Sequence, residues 1–199
     1  MGRIDNSQFY HDSLQRHGDT AKALHWNNEY TQIKRFEVLH NLIDDELSHA
    51  TLVDAGCGFA DFYTFLERHG NLPQKYIGLD LMPDMVLKAK EKMLDKKDVE
   101  IFESDICHDT LPEADYYVCS GGMNILKRFE TNVFITRCFE ASNKAFVFNL
   151  LLGADDSMVY NYYLPAEIKK IAKTLGAEVE IVQNYLPRDF SVKFVKKSV

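Results

Sequence analysis

The sequence predicts an α/β protein built on a doubly wound, mostly parallel sheet of seven strands. Short uninterrupted apolar segments alternate with stretches whose apolar residues recur at helical spacing. Continuous apolar strands are typical of parallel sheets covered on both faces, and strand–helix alternation implies right-handed crossovers. The chain has 199 residues, enough for one such domain. We expect a single domain, with an N-terminal lid and helix over 1–47 and the sheet core over 48–199.

Five apolar segments predict the parallel strands. They are Thr51–Asp54, Tyr76–Asp80, Val99–Phe102, Tyr116–Cys119 and Ala145–Leu151. Two further segments, Val179–Val182 and Phe190–Phe194, flank a short turn at Leu186–Asp189. A parallel return would need a crossover of about a dozen residues or more, so these two strands must form a C-terminal antiparallel hairpin.

Helices are predicted wherever apolar residues share one face at three- and four-residue spacing. Pro83 suits the first turn of the helix after the second strand, and Gly176 suits the end of the last helix. A further helix runs from Ile33 to Leu47, ahead of the first strand. The residues before it have no clear period, and we interpret them as a cap over one end of the sheet.

Charge and composition exclude several classes of function. The chain carries 23 Lys and Arg against 30 Asp and Glu, for a net charge of −7, which makes nucleic acid an unlikely partner. It has no apolar run near the roughly 20 residues of a membrane span and no N-terminal signal core, so we expect a cytoplasmic protein without a membrane partner. The four cysteines form no close pair, and we expect no metal.

The informative residues follow the carboxyl ends of the strands, where ligands of open parallel sheets bind. Gly56 and Gly58 follow the first strand and allow close backbone approach. Asp80 ends the second strand, 22 residues after Gly58, the spacing at which a carboxylate meets a ribose diol. A dinucleotide would fit these features, but Asp61 stands where its pyrophosphate would lie. Together with Asp54, it favours a cationic ligand without phosphate, such as S-adenosylmethionine (SAM).

Three segments resemble the motifs of class I SAM-dependent methyltransferases. Leu52–Phe59 resembles the first motif, Tyr76–Met85 the second and Phe102–Ile106 the third. The resemblance covers about residues 30 to 199, and it departs from the commonest first motif at Ala60, where glycine is frequent. It implies a Rossmann-like methyltransferase fold with SAM as the cofactor.

The resemblance also implies roles for individual residues. The backbone of the loop from Gly56 to Gly58 would pack against the methionine moiety, and Asp80 would hold the ribose hydroxyls. Asp105 would accept from the adenine amine, beside the Ile106 N–H, and Ser120 with Gly121 would border the sulfonium. For Asp54, ligand contact and a turn-capping role both remain open. The cofactor-binding residues are then Gln32, Arg35, Asp54, Gly56, Cys57, Gly58, Asp80, Leu81, Met82, Asp105, Ile106, Ser120 and Gly121.

The N-terminal stretch Leu24–Asn28, followed by Gln32, Arg35 and Phe36, resembles the leader of a bacterial branch of small methyltransferases whose substrates are undefined. This resemblance implies that Gln32 or Arg35 contacts the methionine carboxylate, although an arginine on an amphipathic helix is also commonly solvated. Candidates to orient the substrate are His25, Asn149, Tyr160 and Tyr162.

The leading hypothesis is a SAM-dependent methyltransferase, a monomer or homodimer that methylates an N, O or S nucleophile of a small molecule. One alternative is a non-catalytic protein of the same fold that binds the cofactor or acts as a scaffold. A less favoured alternative is an NAD-dependent oxidoreductase.

Overall fold

The computed structural model describes residues 29–43, 45–154, 157 and 159–197, so His25 lies outside the described residues. Its helices are α1 (Glu29–Leu42), α2 (Asp61–Arg68), α3 (Pro83–Lys92), α4 (Arg128–Ala141) and α5 (Pro165–Leu175), with a short 3-10 helix over Asp45–His49. Its strands are β1 (Thr51–Ala55), β2 (Lys75–Asp80), β3 (Val99–Glu103), β4 (Ala114–Cys119), β5 (Ser142–Leu152), β6 (Tyr162–Tyr163), β7 (Glu178–Gln183) and β8 (Asp189–Val195).

The strands form one sheet in the order β3-β2-β1-β4-β5-β8-β7, with β6 beside the end of β5. All pairings are parallel except those of β8, which runs antiparallel to both β5 and β7. This confirms the doubly wound, mostly parallel fold and its C-terminal hairpin. All seven predicted strands are present, and Tyr162 and Tyr163 add a short further strand by pairing with Leu151 and Leu152. A two-residue strand is too short to show an alternation pattern.

Alternate residues of each central strand supply two separate apolar cores. Leu52 packs into the core beneath α1, α2 and α3, whereas Val53 packs into the core beneath α4 and α5. This division follows from the two-residue period of a strand. In α1, Phe36 and Leu39 are buried in the first core, so this part of the predicted lid segment covers a face of the sheet. No helix among the described residues is long and apolar enough to cross a membrane.

The winding of the sheet reverses at β1, whose neighbours are β2 on one side and β4 on the other. The crossovers after β1 and β4 therefore lead to opposite faces of the sheet, with α2 on one and α4 on the other. Such a reversal opens a crevice at the carboxyl ends of the strands. The loops after β1, β2 and β4 converge there.

Gly78 in β2 occupies a position with no room for a side chain. A Cβ atom there would lie 2.6 Å from Ile101 Cδ1 and 2.9 Å from Cys57 Sγ. We expect Gly78→Ala to lower the free energy of unfolding by about 1–3 kcal/mol through overpacking. Ile101→Val removes Cδ1, the nearest of these atoms. The Gly78→Ala/Ile101→Val double variant should therefore lose less stability than the sum of the losses in the two single variants. Urea denaturation measures the free energy of unfolding of the wild type and the three variants. Strictly additive losses in the double variant would contradict this packing.

Candidate active site

A cavity of about 370 Å³ opens at the carboxyl ends of the parallel strands. The loops after β1, β2, β3 and β4 form its floor, and α1 with the segment around Tyr160–Tyr162 completes its walls. Every cofactor-binding residue predicted from the sequence lines this cavity, as do Tyr160 and Tyr162. The fold therefore brings together residues that are more than a hundred positions apart in the chain.

The loop after β1 is held in a left-handed conformation. Gly56 and Gly58 have φ angles of +80° and +54°, and Ala60 has a φ of +55°. The N–H groups of Gly56 and Cys57 both donate to the carbonyl of Leu79, at 2.7 and 3.0 Å. A left-handed alanine costs about 1–2 kcal/mol, which explains why glycine suits the position of Ala60 in the related motif.

Cys57 contributes its backbone to the cavity, while its thiol packs beneath the loop against Gly78. Burial, followed by the nearby Asp80 and Asp54 carboxylates, raises the pKa of this thiol well above its usual value. Because a thiol is nucleophilic only as the thiolate, Cys57 is not an activated nucleophile.

Asp80 links the loops after β1 and β2. Its Oδ2 accepts a hydrogen bond from the Gly58 N–H at 2.8 Å, and its Oδ1 accepts from the Met82 N–H at 2.9 Å. Burial raises the pKa of this carboxyl, and the backbone hydrogen bonds oppose that shift. Each carboxylate oxygen has a second acceptor position, which leaves capacity for a ligand hydroxyl.

Asp54 lies on the cavity wall with its carboxylate 2.6 Å from the donating hydroxyl of Tyr76. Burial is the main cause that raises its pKa to about 7, the Tyr76 hydrogen bond lowers it, and Asp80 and Asp61 raise it further. The cavity therefore contains a carboxyl group whose charge a cationic ligand would stabilise. The Asp54 carboxylate accepts from the Tyr76 side chain, so this hydrogen bond does not support the alternative that Asp54 only caps the turn.

Asp61, at the start of α2, accepts hydrogen bonds from two neighbours. Lys92 Nζ donates to its Oδ1 at 2.6 Å, and Gln32 Nε2 donates to its Oδ2 at 3.2 Å. Gln32 therefore lines the cavity with its amide nitrogen already directed to a carboxylate. Of the two side chains predicted to meet a methionine carboxylate, Arg35 is the one with a positive charge, and its guanidinium has five N–H groups.

Arg35 is fixed by a buried ion pair. Its Nε and Nη2 lie 2.6 and 2.5 Å from the same carboxylate oxygen of Asp189, which is 1% exposed. Asp189 also accepts from Asn149 Nδ2 at 3.3 Å and from the Tyr185 hydroxyl. Burial raises the pKa of Asp189, and the charge of Arg35 is the main opposing influence. The solvated alternative for Arg35 is thus wrong, and its guanidinium reaches the cavity already joined to Asp189.

Asn149 does not line the cavity, which corrects the expectation that it orients the substrate. It is fully buried, its Oδ1 accepts from the Gly121 N–H at 3.0 Å, and its amide nitrogen donates to Asp189. Asn149 is therefore a positioning residue, which ties the loop after β4 to the Arg35–Asp189 pair.

Asp105 lies at the β3 end of the cavity and caps its own turn. Its Oδ1 accepts from the Cys107 N–H at 2.8 Å, and its Oδ2 lies 2.9 Å from His108 Nδ1. Ile106 lines the cavity beside it. The contact of these two residues with an adenine base remains a prediction from the resemblance.

Three cavity-related residues were missed by the sequence reasoning. Asp189 lies in a segment that indicated only a turn, and its pairing with Arg35 spans 154 residues. Arg188 and Asn124 also line the cavity, but no motif marks either residue. Among the described residues, Asn124 Oδ1 and the neighbouring Ser120 Oγ are buried without a hydrogen-bond partner. Only the three-dimensional arrangement could have identified these groups.

The comparisons with known proteins agree with this geometry. The sequence model of the methyltransferase domain family matches residues 52–144, from β1 into β5. Magnesium protoporphyrin IX methyltransferase (ChlM) from Synechocystis PCC 6803, solved with bound SAM, is similar with a TM-score of 0.74 at 14% identity over 98% of each chain. A SAM-dependent methyltransferase from Clostridium acetobutylicum ATCC 824 has a TM-score of 0.68 at 12% identity, covering 93% of this chain and 98% of the other.

A SAM-dependent methyltransferase from Mesorhizobium loti gives a TM-score of 0.65 at 14% identity, over 82% of this chain and 98% of the other. No curated protein matches the sequence. The structural likenesses show a methyltransferase fold. The match to the methyltransferase domain model covers residues 52–144, just under half of the chain.

The raised pKa of Asp54 predicts a specific pH dependence of stability. Between about pH 4 and pH 7 the native state holds a proton on Asp54 that the unfolded state has released. The free energy of unfolding should therefore fall as pH rises through this window, with a slope from this one group of up to about 1.4 kcal/mol per pH unit.

Asp54→Asn keeps an acceptor for Tyr76 but cannot titrate, so it should lack this part of the slope. Urea denaturation of both proteins at pH 5, 6, 7 and 8 measures the difference. Parallel curves for the wild type and the variant would contradict the assignment.

Proposed function

We propose that the protein transfers a methyl group from SAM to an N, O or S nucleophile of a small molecule. The methyltransferase domain match over residues 52–144 and the methyltransferase fold support SAM as the methyl donor. The observation that carries the proposal for this chain is a single cavity that combines the left-handed glycine loop with the buried carboxylates of Asp54 and Asp80. This combination suits a ligand with positive charge and no phosphate.

The order of the strands supports one orientation of SAM in the cavity. Asp80 and Asp105 end or follow β2 and β3, so we assign the adenosine to that side. The loop of Gly56 and Gly58 after β1 would face the methionine moiety. The Arg35 guanidinium, held in place by Asp189, would then bind the methionine carboxylate.

The charge of the cavity opposes a dinucleotide. Asp61 lies in the first turn of α2, where the pyrophosphate of a dinucleotide would need the helix N-terminus. Asp54 lines the same cavity. Asp61 would repel that pyrophosphate, whereas the Asp54 carboxylate would attract the sulfonium and ammonium groups of SAM. The oxidoreductase alternative is therefore disfavoured.

SAM supplies an electrophilic methyl group when bound. The role of the chain is to align the acceptor with that methyl and to exclude water, which can account for much of the rate acceleration. Asn149 fixes the Gly121 N–H and with it the loop beside the expected position of the sulfonium. Tyr160 and Tyr162 also line the cavity and remain our candidates to orient the acceptor.

A small acceptor is supported by the cavity volume of about 370 Å³ and by the net charge of −7. We extend the proposal to a cytoplasmic monomer or homodimer. Release of S-adenosylhomocysteine in the presence of an acceptor separates this proposal from the alternative of a non-catalytic scaffold protein.

Asp80→Asn tests the cofactor site. The substitution removes the charge and one of the acceptors that we assign to the ribose, so the dissociation constant of SAM should rise at least about tenfold, or about 1.4 kcal/mol. Isothermal titration calorimetry measures this change, and circular dichroism confirms that the variant is folded.

Asp98→Asn is the matched control, because Asp98 is exposed, precedes β3 and does not line the cavity. It should bind SAM like the wild type. The proposal fails if the wild type does not bind SAM, or if Asp80→Asn binds it with unchanged affinity.

A further inference from the structure

The end of the cavity next to β5 differs chemically from the acidic end next to β2. The carbonyl of Arg188 accepts a hydrogen bond from the Leu152 N–H at 2.9 Å, which places Arg188 at the carboxyl end of β5. In the sheet, β1 and β4 separate β5 from β2, which carries Asp80. Arg188 therefore lies on the side of the cavity away from the proposed adenosine position.

The position of Arg188 is defined by its backbone and its side chain. Its φ angle of +59° is left-handed, and the bond to Leu152 holds its carbonyl. The guanidinium carbon lies 4.6 Å from the ring centroid of Tyr162. A guanidinium in contact with an aromatic face can still direct N–H groups to a carboxylate, since its donors form a planar fork.

Apolar residues line the cavity next to Arg188 and in the loop after β4. They are Ile125, Leu126, Leu151 and Pro187, with Tyr160 and Tyr162 beside them. Two aromatic rings and aliphatic walls favour a ligand with a flat apolar body. The substrate side thus combines an apolar surface with the Arg188 guanidinium at its edge.

The loop after β4 contains two buried polar side-chain atoms without hydrogen-bond partners among the described residues. Asn124 is 8% exposed and lines the cavity, yet its Oδ1 has no hydrogen-bond partner among the described residues, and the same holds for Ser120 Oγ. Buried polar atoms normally have partners. An O–H or N–H donor on a bound acceptor, met after a small rotation of either side chain, would satisfy them.

We propose that the methyl acceptor is a small aromatic carboxylic acid that carries a hydroxyl or amino group. This inference rests on the proposed methyltransferase function. The carboxylate binds the Arg188 guanidinium, the ring lies beside Tyr160 and Tyr162, and the hydroxyl or amino group faces Ser120 and Asn124. A singly charged carboxylate suits this site better than a phosphate dianion, because the acidic residues of the same cavity repel additional negative charge.

The transfer balances without a further reactant. A lone pair of the acceptor oxygen or nitrogen forms a bond to the methyl carbon, and the carbon–sulfur bond breaks with its electron pair passing to sulfur. The acceptor loses its proton to solvent, and the products are the methylated acid and S-adenosylhomocysteine.

The test compares hydroxybenzoic and aminobenzoic acid isomers with their neutral amides. Binding of each probe is measured by calorimetry on protein saturated with S-adenosylhomocysteine, and methyl transfer is measured with SAM. At least one acid should bind about tenfold more tightly than its amide. Arg188→Gln should abolish this preference without weakening the amide, and Arg188→Lys should restore part of it.

Arg68→Gln is the matched control, since Arg68 is exposed at the end of α2 and does not line the cavity. It should keep the preference for the acid. The inference is overturned if no acid is preferred over its amide, or if Arg188→Gln keeps the preference or weakens acid and amide equally. SAM affinity is measured in parallel on the wild type. If the wild type does not bind SAM, the methyltransferase proposal itself is refuted. If it binds SAM but prefers no acid over its amide, only the proposal of an aromatic acid as the acceptor is refuted.

Discussion

One buried carboxylate determines the geometry of the cavity floor. Asp80 accepts hydrogen bonds from the N–H groups of Gly58 and Met82, so it joins the loops that leave β1 and β2. A buried carboxylate is costly unless hydrogen bonds compensate for the water that it loses. Those two bonds therefore do more than stabilise Asp80. They hold the left-handed loop in the conformation that exposes its backbone to a ligand.

A second buried carboxylate, that of Asp189, also joins separate elements around the cavity. Asp189 connects Arg35 on α1, Asn149 on β5 and Tyr185 in the turn before β8. Through Asn149, this network also holds the Gly121 N–H. The strand ends of the first half of the sheet and the C-terminal hairpin are thereby linked around one cavity. Positive charge at Arg35 is presented in a fixed position instead of on a mobile side chain.

The central sheet could be predicted because its signals are local. The buried strands β1, β2 and β5 are continuous apolar segments, and Gly176 ends α5 with a φ of +68°, as its position in the sequence predicts. The cavity floor was also predictable, since Gly56 and Asp80 follow strands that must end at the same edge. Strand β6 has only two residues and forms through pairing with β5, so no local sequence pattern predicts it.

The far wall of the cavity could not be predicted, because it depends on contacts between distant residues. Asn149 belongs to an apolar strand, and the sequence does not show whether its amide faces a ligand or a buried network. Arg35 looks like a surface residue of an amphipathic helix until Asp189 is placed beside it. The antiparallel insertion of β8 between β5 and β7 creates that neighbourhood.

A crystal structure of the protein with S-adenosylhomocysteine would test the central claim most directly. We predict that the ribose hydroxyls contact Asp80, that the amino-acid carboxylate contacts Arg35, and that the Arg35–Asp189 ion pair is retained. Density for the ligand outside this cavity, or in it with the adenosine and amino-acid ends exchanged, would contradict the account.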